Sequence, residues 1–212
     1  MNLHDPSRTL KRGTPLAQAK AALILIHGRG ADAEDIAGLA NYLPSRDLAV
    51  LAPEAQQHTW YPQRFFVPLE ENEPWLSSGL DLIDKLVSTV HESGIPQERI
   101  GIAGFSQGGC LALEYALRNP RRYGFIAGMS SALIGPLKTP RAKADLQGTP
   151  VLIACAENDA HIPLPFVQES AEILAASGTD LTKQIFRGYD HTVFPEEIRW
   201  LQEKMEVWNP PA

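Results

Sequence analysis

Short hydrophobic runs alternate along the chain with stretches in which hydrophobic residues recur every three or four positions. The short runs have the length of buried strands, and the recurring positions between them are typical of amphipathic helices. Strands that alternate with helices predict an α/β fold with a mostly parallel central sheet and helices on both faces. The predicted strands span residues 21–26, 48–52, 99–104, 123–129, 151–156 and 181–186.

The predicted helices carry start and stop signals of their own. They span residues 32–43, 77–93, 107–118, 166–177 and 195–207. In the second helix, Ser78 and Asp81 have the spacing of a capping box, and Gly94 and Pro96 follow where that helix should end. The last helix opens with Pro195, a residue that is favoured in a first helical turn. These signals support the boundaries that the hydrophobic pattern indicates.

Two segments interrupt the alternation. Residues 53–76 contain four prolines and the large aromatic residues Trp60, Tyr61, Phe65, Phe66 and Trp75. A loop of this length inside a compact domain is usually functional. We keep two interpretations of it open, a lid over a site and a contact within a homodimer. Residues 135–150 are rich in Gly, Pro and Lys and predict a surface excursion.

Composition narrows the class of protein. A length of 212 residues favours one domain over residues 1–212, and the net charge of −6 without a basic cluster argues against nucleic acid or an anionic membrane as partner. No apolar run approaches the roughly 20 residues of a membrane span, and residues 1–20 lack the apolar centre of a signal peptide. Cys110 and Cys155 lie in apolar runs, which favours buried free thiols. We therefore expect a cytoplasmic protein.

The strongest chemical signal is the sequence Gly-Phe-Ser-Gln-Gly-Gly at residues 104–109. It fits the Gly-x-Ser-x-Gly pattern at the point where a predicted strand gives way to a predicted helix. A turn this tight places Ser106 in a strained backbone conformation above the sheet, and small residues on either side let the chains pass. The N–H of the following Gln107 lies at the helix N-terminus, where developing negative charge is favoured. Ser106 is therefore the predicted nucleophile.

A serine nucleophile needs a base and an acid that orients the base, and in this fold type the two follow it in the order acid, then histidine. Only His161 and His191 follow Ser106, and we favour His191 because it lies between a strand and a helix. His161 is too close to the predicted acid to accept its bond and also face the serine. The predicted acid is Asp159, just beyond a strand, with Glu157 as its rival.

The oxyanion of such a reaction needs a second backbone amide. The first predicted strand runs directly into His-Gly-Arg-Gly-Ala at residues 27–31. A Gly-rich turn at this place can aim the Arg29 amide toward the same point as the Gln107 amide. A phosphate-binding loop would require Lys followed by Ser or Thr, and this turn has neither.

With these residues the chain resembles the phospholipase/carboxylesterase family of α/β-hydrolases, which includes small bacterial carboxylesterases and acyl-protein thioesterases. The resemblance spans residues 21 to about 207. It is carried by residues 26–30 (Ile-His-Gly-Arg-Gly), by Trp60-Tyr61, by residues 104–109, by Asp159 with Ile162-Pro163 following, and by His191. It implies the compact α/β-hydrolase fold without a large cap, a triad of Ser106, Asp159 and His191, and oxyanion amides from Arg29 and Gln107.

The resulting expectation is a serine esterase that acts on small-molecule esters of short to medium acyl groups, without metal or other cofactor. Trp60, Tyr61 and Phe65 are candidates for the wall of the acyl pocket, although core packing explains each of them equally well. Arg29 departs from the apolar residue usual in the family, and a guanidinium at the rim would favour acidic substrates. The alternatives are an acyl-protein or acyl-CoA thioesterase, a lysophospholipase, and a non-catalytic module that binds a ligand.

Overall fold

The computed structural model describes residues 3–44 and 46–208, and over those ranges it contains seven strands and five α-helices. The strands are β1 (Leu10–Gly13), β2 (Ala21–Ile26), β3 (Leu48–Ala52), β4 (Ile100–Phe105), β5 (Phe125–Met129), β6 (Pro150–Ala156) and β7 (Asp180–Phe186). The helices are α1 (Ala33–Ala37), α2 (Trp75–Glu92), α3 (Gln107–Arg118), α4 (Leu164–Ala176) and α5 (Pro195–Glu206). None of the helices in the described ranges is long and apolar enough to span a membrane.

The seven strands form one sheet in the order β1-β3-β2-β4-β5-β6-β7. Strand β1 pairs antiparallel with β3 at one edge, and every other pair is parallel. The carboxyl ends of β2, β4, β6 and β7 therefore meet at one edge of the sheet, where ligands bind in open α/β sheets.

Side chains of the central strands alternate between two hydrophobic layers. Ala22, Ile24 and Ile26 of β2 pack with α2, α3 and α4, whereas Leu23 and Leu25 pack with α1 and α5. Because β2 is buried on both faces, its sequence is a continuous apolar run rather than an alternating one. The expected α/β-hydrolase fold, with helices on both faces of the sheet, is confirmed.

All six predicted strands are present, each with boundaries within two residues of the prediction. The structure adds β1, whose Leu-Lys-Arg-Gly sequence carries no hydrophobic pattern because this edge strand is largely exposed. The prediction of a capping box at Ser78 is wrong. Helix α2 begins three residues earlier, after Pro74, and the Ser78 hydroxyl instead accepts hydrogen bonds from the amides of Leu3 and His4 at 2.8 and 3.1 Å.

Candidate active site

Ser106 is the single residue between β4 and α3, with φ 54° and ψ −118°. This conformation is strained for a residue with a side chain. It persists because the Ser106 amide donates to the Met129 carbonyl at 2.9 Å and the Ser106 carbonyl accepts from the Cys110 amide at 2.9 Å. A Cβ at Gly104 would lie 2.3 Å from the carbonyl of Gly108. The glycines are therefore required for strand and helix to approach this closely.

The structure brings Ser106, His191 and Asp159 into one hydrogen-bonded chain. His191 Nε2 lies 2.8 Å from the Ser106 hydroxyl, and His191 Nδ1 lies 2.6 Å from Asp159 Oδ2. The other oxygen, Oδ1, accepts from the amides of His161 at 2.7 Å and Ile162 at 3.1 Å. Burial raises the pKa of Asp159, but the bonds from His191 and the His161 amide outweigh it and hold that pKa below its ordinary value. Asp159 is therefore an ionised carboxylate at neutral pH.

The alternative acid, Glu157, and the alternative base, His161, lie outside the hydrogen-bonded chain of Ser106, His191 and Asp159. Glu157 is exposed, and within the described residues its carboxylate accepts only a long bond of 3.4 Å from the Gly188 amide. The His161 ring lies 4.6 Å from the His191 ring, centre to centre, and lines the adjoining cleft without bonding to Ser106 or Asp159 through its side chain. The geometry thus selects Asp159 and His191 as the partners of Ser106.

Three further residues position His191 and Asp159, and sequence reasoning missed them. The buried Ser130 hydroxyl donates to the Thr192 carbonyl at 2.9 Å and so fixes the chain beside His191. The Phe105 ring packs 5.0 Å from the imidazole, and the Cys155 thiol donates to Asp159 Oδ2 at 3.5 Å. Phe105 directly precedes Ser106, and Cys155 lies in the strand that leads to Asp159, whereas no sequence pattern marks Ser130.

The turn after β2 is held by backbone bonds on both sides of Arg29. The Gly30 amide donates to the His58 carbonyl at 2.8 Å, and the Ala31 amide donates to the Gly28 carbonyl at 3.2 Å. The amides of Arg29 and Gln107 donate to no acceptor in the part of the chain that the structure describes. Both residues line the cleft that contains Ser106. Their two N–H groups are therefore available to a bound ligand.

The neutral imidazole of His27 stabilises this turn from beneath. His27 is fully buried, its Nε2 accepts from the Ala55 amide at 3.0 Å, and its Nδ1–H donates to the Gly28 carbonyl at 2.8 Å. Burial lowers the pKa of His27. The neutral tautomer with the proton on Nδ1 satisfies both bonds.

Side chains of the same two turns bind the aromatic loop, defined as residues 53–74 between β3 and α2, to the site. The Gln107 side chain accepts from the Trp60 amide at 2.9 Å and donates to the Tyr61 carbonyl at 2.8 Å. The Arg29 guanidinium donates to the carbonyls of Tyr61 at 2.9 Å, Pro62 at 2.8 Å and Gln63. Arg29 thus binds the loop through its guanidinium, which is exposed and lines the cleft as expected of a cation at the rim.

A cleft of about 480 Å³ opens beside Ser106. Tyr61 and Phe65 line it, as predicted, together with Phe105 and Ile162. Trp60 does not line it, which corrects the assignment of Trp60 to the pocket wall. Its indole is fully buried between the rings of His4 and His27, and its N–H donates to the His27 carbonyl at 2.9 Å.

This arrangement is suited to acyl transfer. A hydroxyl, an imidazole that can take its proton, a carboxylate that fixes the imidazole tautomer and two available amides surround one open cleft. Over residues 3–44 and 46–208, no group of three or more His, Cys, Asp or Glu side chains is arranged to hold a metal ion.

A comparison with known structures gives a close match. The crystal structure of a phospholipase/carboxylesterase from Dyadobacter fermentans superposes with a TM-score of 0.90 at 38% sequence identity. The superposition covers 96% of this chain and 97% of that one. The similarity in fold therefore extends over nearly the whole length of both chains.

Two relatives similar in sequence are named acyl-protein thioesterase 1. The relative from Saccharomyces cerevisiae is 26% identical over 89% of this chain and 93% of its own length. The relative from Gibberella zeae is 32% identical over 59% of this chain, and the match spans 55% of that relative. The family model for phospholipase/carboxylesterase matches residues 14–209. The chain therefore belongs to the phospholipase/carboxylesterase family of α/β-hydrolases.

Proposed function

We propose that this protein is a serine esterase that hydrolyses short to medium acyl esters through a covalent acyl-Ser106 intermediate. The hydrogen-bonded chain from Ser106 through His191 to Asp159, open to a cleft, is the observation that carries the proposal. A ligand-binding module would need none of these three residues in this geometry.

In the first half-reaction the Ser106 oxygen attacks the acyl carbonyl carbon, and its proton passes to His191 Nε2. The carbonyl oxygen becomes an oxyanion that the amides of Arg29 and Gln107 bind. When the tetrahedral intermediate collapses, the bond to the leaving oxygen breaks, and that oxygen takes the proton from His191. Asp159 stabilises the imidazolium through Nδ1 throughout.

In the second half-reaction a water molecule attacks the acyl-enzyme and gives a proton to His191. The same two amides bind the second oxyanion, and collapse releases the carboxylic acid as the Ser106 oxygen regains its proton. Tyr61 and Phe65 provide the apolar wall against which the acyl chain packs. A cleft of about 480 Å³ suits a short to medium chain.

Thioesters are the second candidate substrate class, because two similar proteins are named acyl-protein thioesterase 1. The same residues cleave either ester type, since both reactions pass through the same acyl-enzyme. The ratio of kcat/KM for an oxygen ester and a thioester with one acyl chain distinguishes the two classes.

The test of the proposal is hydrolysis of p-nitrophenyl esters of increasing acyl length by the wild type and by Ser106→Ala. We expect the variant to lose at least about 10³-fold in kcat while its thermal unfolding stays close to that of the wild type. The matched control is Ser88→Ala, which removes the hydroxyl of an exposed serine on α2 and should leave the rate unchanged.

A second readout follows the covalent step directly. A fluorophosphonate should add to the wild type at Ser106, as located by peptide mass spectrometry, and should not add to Ser106→Ala. Turnover that survives in Ser106→Ala, or labelling of a different residue, would overturn the assignment of the nucleophile.

A further inference from the structure

Two arginines line the cleft, and they differ in what binds them. The Arg29 guanidinium donates to three backbone carbonyls of the aromatic loop. The Arg64 guanidinium has no hydrogen bond or ion pair with any residue in the described ranges, and it lies over the Phe66 ring at 5.6 Å. Arg64 is exposed, so its charge is available to a molecule in the cleft.

The backbone that carries Arg64 is fixed by bonds to buried parts of the protein. The fully buried Asn72 accepts from the Gln63 amide at 2.8 Å and donates to the Arg64 carbonyl at 3.1 Å. The next carbonyl, of Phe65, accepts from the Gly135 amide at 2.7 Å. These bonds place the start of the Arg64 side chain at a fixed point of the cleft.

The Phe66 ring holds the side chain itself. The ring packs 5.3 Å from Phe65 and 5.5 Å from Phe166 of α4, so it is a fixed surface. A guanidinium over an aromatic face gains electrostatic attraction and keeps its N–H groups free at the edge. Arg64 is thus pre-positioned without being neutralised.

We propose that Arg64 determines specificity by binding a carboxylate carried by the substrate. This deepens the proposed function and rests on it. A guanidinium binds a carboxylate through paired N–H donors, and such charge-assisted bonds are stronger than neutral ones. Asp35 also lines the cleft. A monoanionic carboxylate therefore meets less repulsion there than a phosphate dianion would.

The experiment compares matched pairs of esters that differ only in this charge. In the first pair, mono-p-nitrophenyl adipate is compared with p-nitrophenyl 6-methylheptanoate, in which a neutral isopropyl group replaces the carboxylate. In the second pair, p-butyryloxybenzoate is set against p-butyryloxybenzamide. The pairs place the carboxylate on the acyl side and on the leaving-group side respectively.

The readout is the ratio of kcat/KM for the charged and the neutral member of each pair. We expect Arg64→Gln to lower this ratio about tenfold in one of the two pairs, consistent with the loss of a charge-assisted hydrogen bond. Arg64→Lys should retain part of the preference, and added salt should reduce it in the wild type. The pair that responds identifies the side of the substrate that Arg64 binds.

The control is Arg99→Gln, which removes the same charge at the opposite end of β4 and should leave both ratios unchanged. Ratios for Arg64→Gln within twofold of the wild type in both pairs would overturn the proposal. Equal losses for the charged and neutral esters would also overturn it, because they indicate a structural role. Ser106-dependent turnover of the neutral esters tests the proposed function separately.

Discussion

Glu197 is a carboxyl group buried under the segment that carries His191. It is fully buried, its Oε2 accepts from the Phe194 amide at 2.6 Å, and its Oε1 has no hydrogen-bond partner in the described part of the chain. Burial raises the pKa of Glu197 to about 8, although the amides of Phe194 and Ser130 favour the carboxylate. The folded protein therefore holds Glu197 protonated at neutral pH.

This pKa makes stability depend on pH. In the unfolded chain Glu197 loses its proton near the ordinary value of 4.5, whereas the folded state keeps it up to about 8. The folded state binds more protons over this window, so stability is greatest below the lower pKa and falls as pH rises toward the upper one. At about 1.4 kcal/mol per pH unit, the free energy of unfolding falls by up to about 5 kcal/mol across the window.

We expect Glu197→Gln to remove this dependence, because glutamine has a similar shape and does not titrate. The measurement is urea-induced unfolding of both proteins at pH values from about 5 to about 9. The free energy of unfolding of the variant should rise relative to the wild type as pH increases, and the difference should become constant above about pH 8.

The matched control is Glu203→Gln, which removes an exposed carboxylate from the same helix, α5. Its stability should follow the wild type across the range. Parallel curves for wild type and Glu197→Gln would refute the reasoning, since they would mean that Glu197 has the same pKa in the folded and unfolded states. The slope with pH carries the test, so any constant offset that the new amide introduces is immaterial.

Two further predictions concern the site and the turn that supports it. Asp159→Asn should lower kcat about 10⁴-fold, because the imidazole of His191 loses its correct tautomer. Glu157→Gln, at an exposed position, should change kcat less than about twofold. Steady-state kinetics that show the opposite order would identify Glu157 as the acid. Gly108→Ala would place a Cβ 2.2 Å from the Ile26 carbonyl oxygen, and we expect it to lower the free energy of unfolding by about 3 kcal/mol or more. Gly38→Ala, where a Cβ meets nothing within 4 Å, should leave chemical unfolding nearly unchanged, and equal stability of the two variants would contradict this steric argument.

The sequence predicted the sheet well because its central strands are buried on both faces. Residues of β2 and β3 form uninterrupted apolar runs, which periodicity detects directly. Strand β1 escaped detection because its pairing with β3 depends on backbone bonds at an exposed edge. The role of Ser78 was predicted wrongly, because the local sequence is the same whether its hydroxyl caps a helix or accepts hydrogen bonds from a distant segment.

The site residues were predictable where their order along the chain indicates their roles. Ser106 lies in a recognisable turn, and Asp159 and His191 follow it at the ends of β6 and β7 in the expected order. The contacts of the Arg29 and Arg64 side chains were not predictable, because residues that touch in the folded protein have no fixed separation along the chain. Only the folded loop shows that the Arg29 guanidinium donates to backbone carbonyls, whereas the Arg64 guanidinium lies over the Phe66 ring.

The bonds from Arg29 and Gln107 to the aromatic loop also bear on how substrate reaches Ser106. A lid formed by residues 53–74 would have to break these bonds together, at about 0.5–1.5 kcal/mol each, before it could swing away. Opening of the loop would therefore also release the side chains of Arg29 and Gln107, the two residues whose amides are proposed to bind the oxyanion.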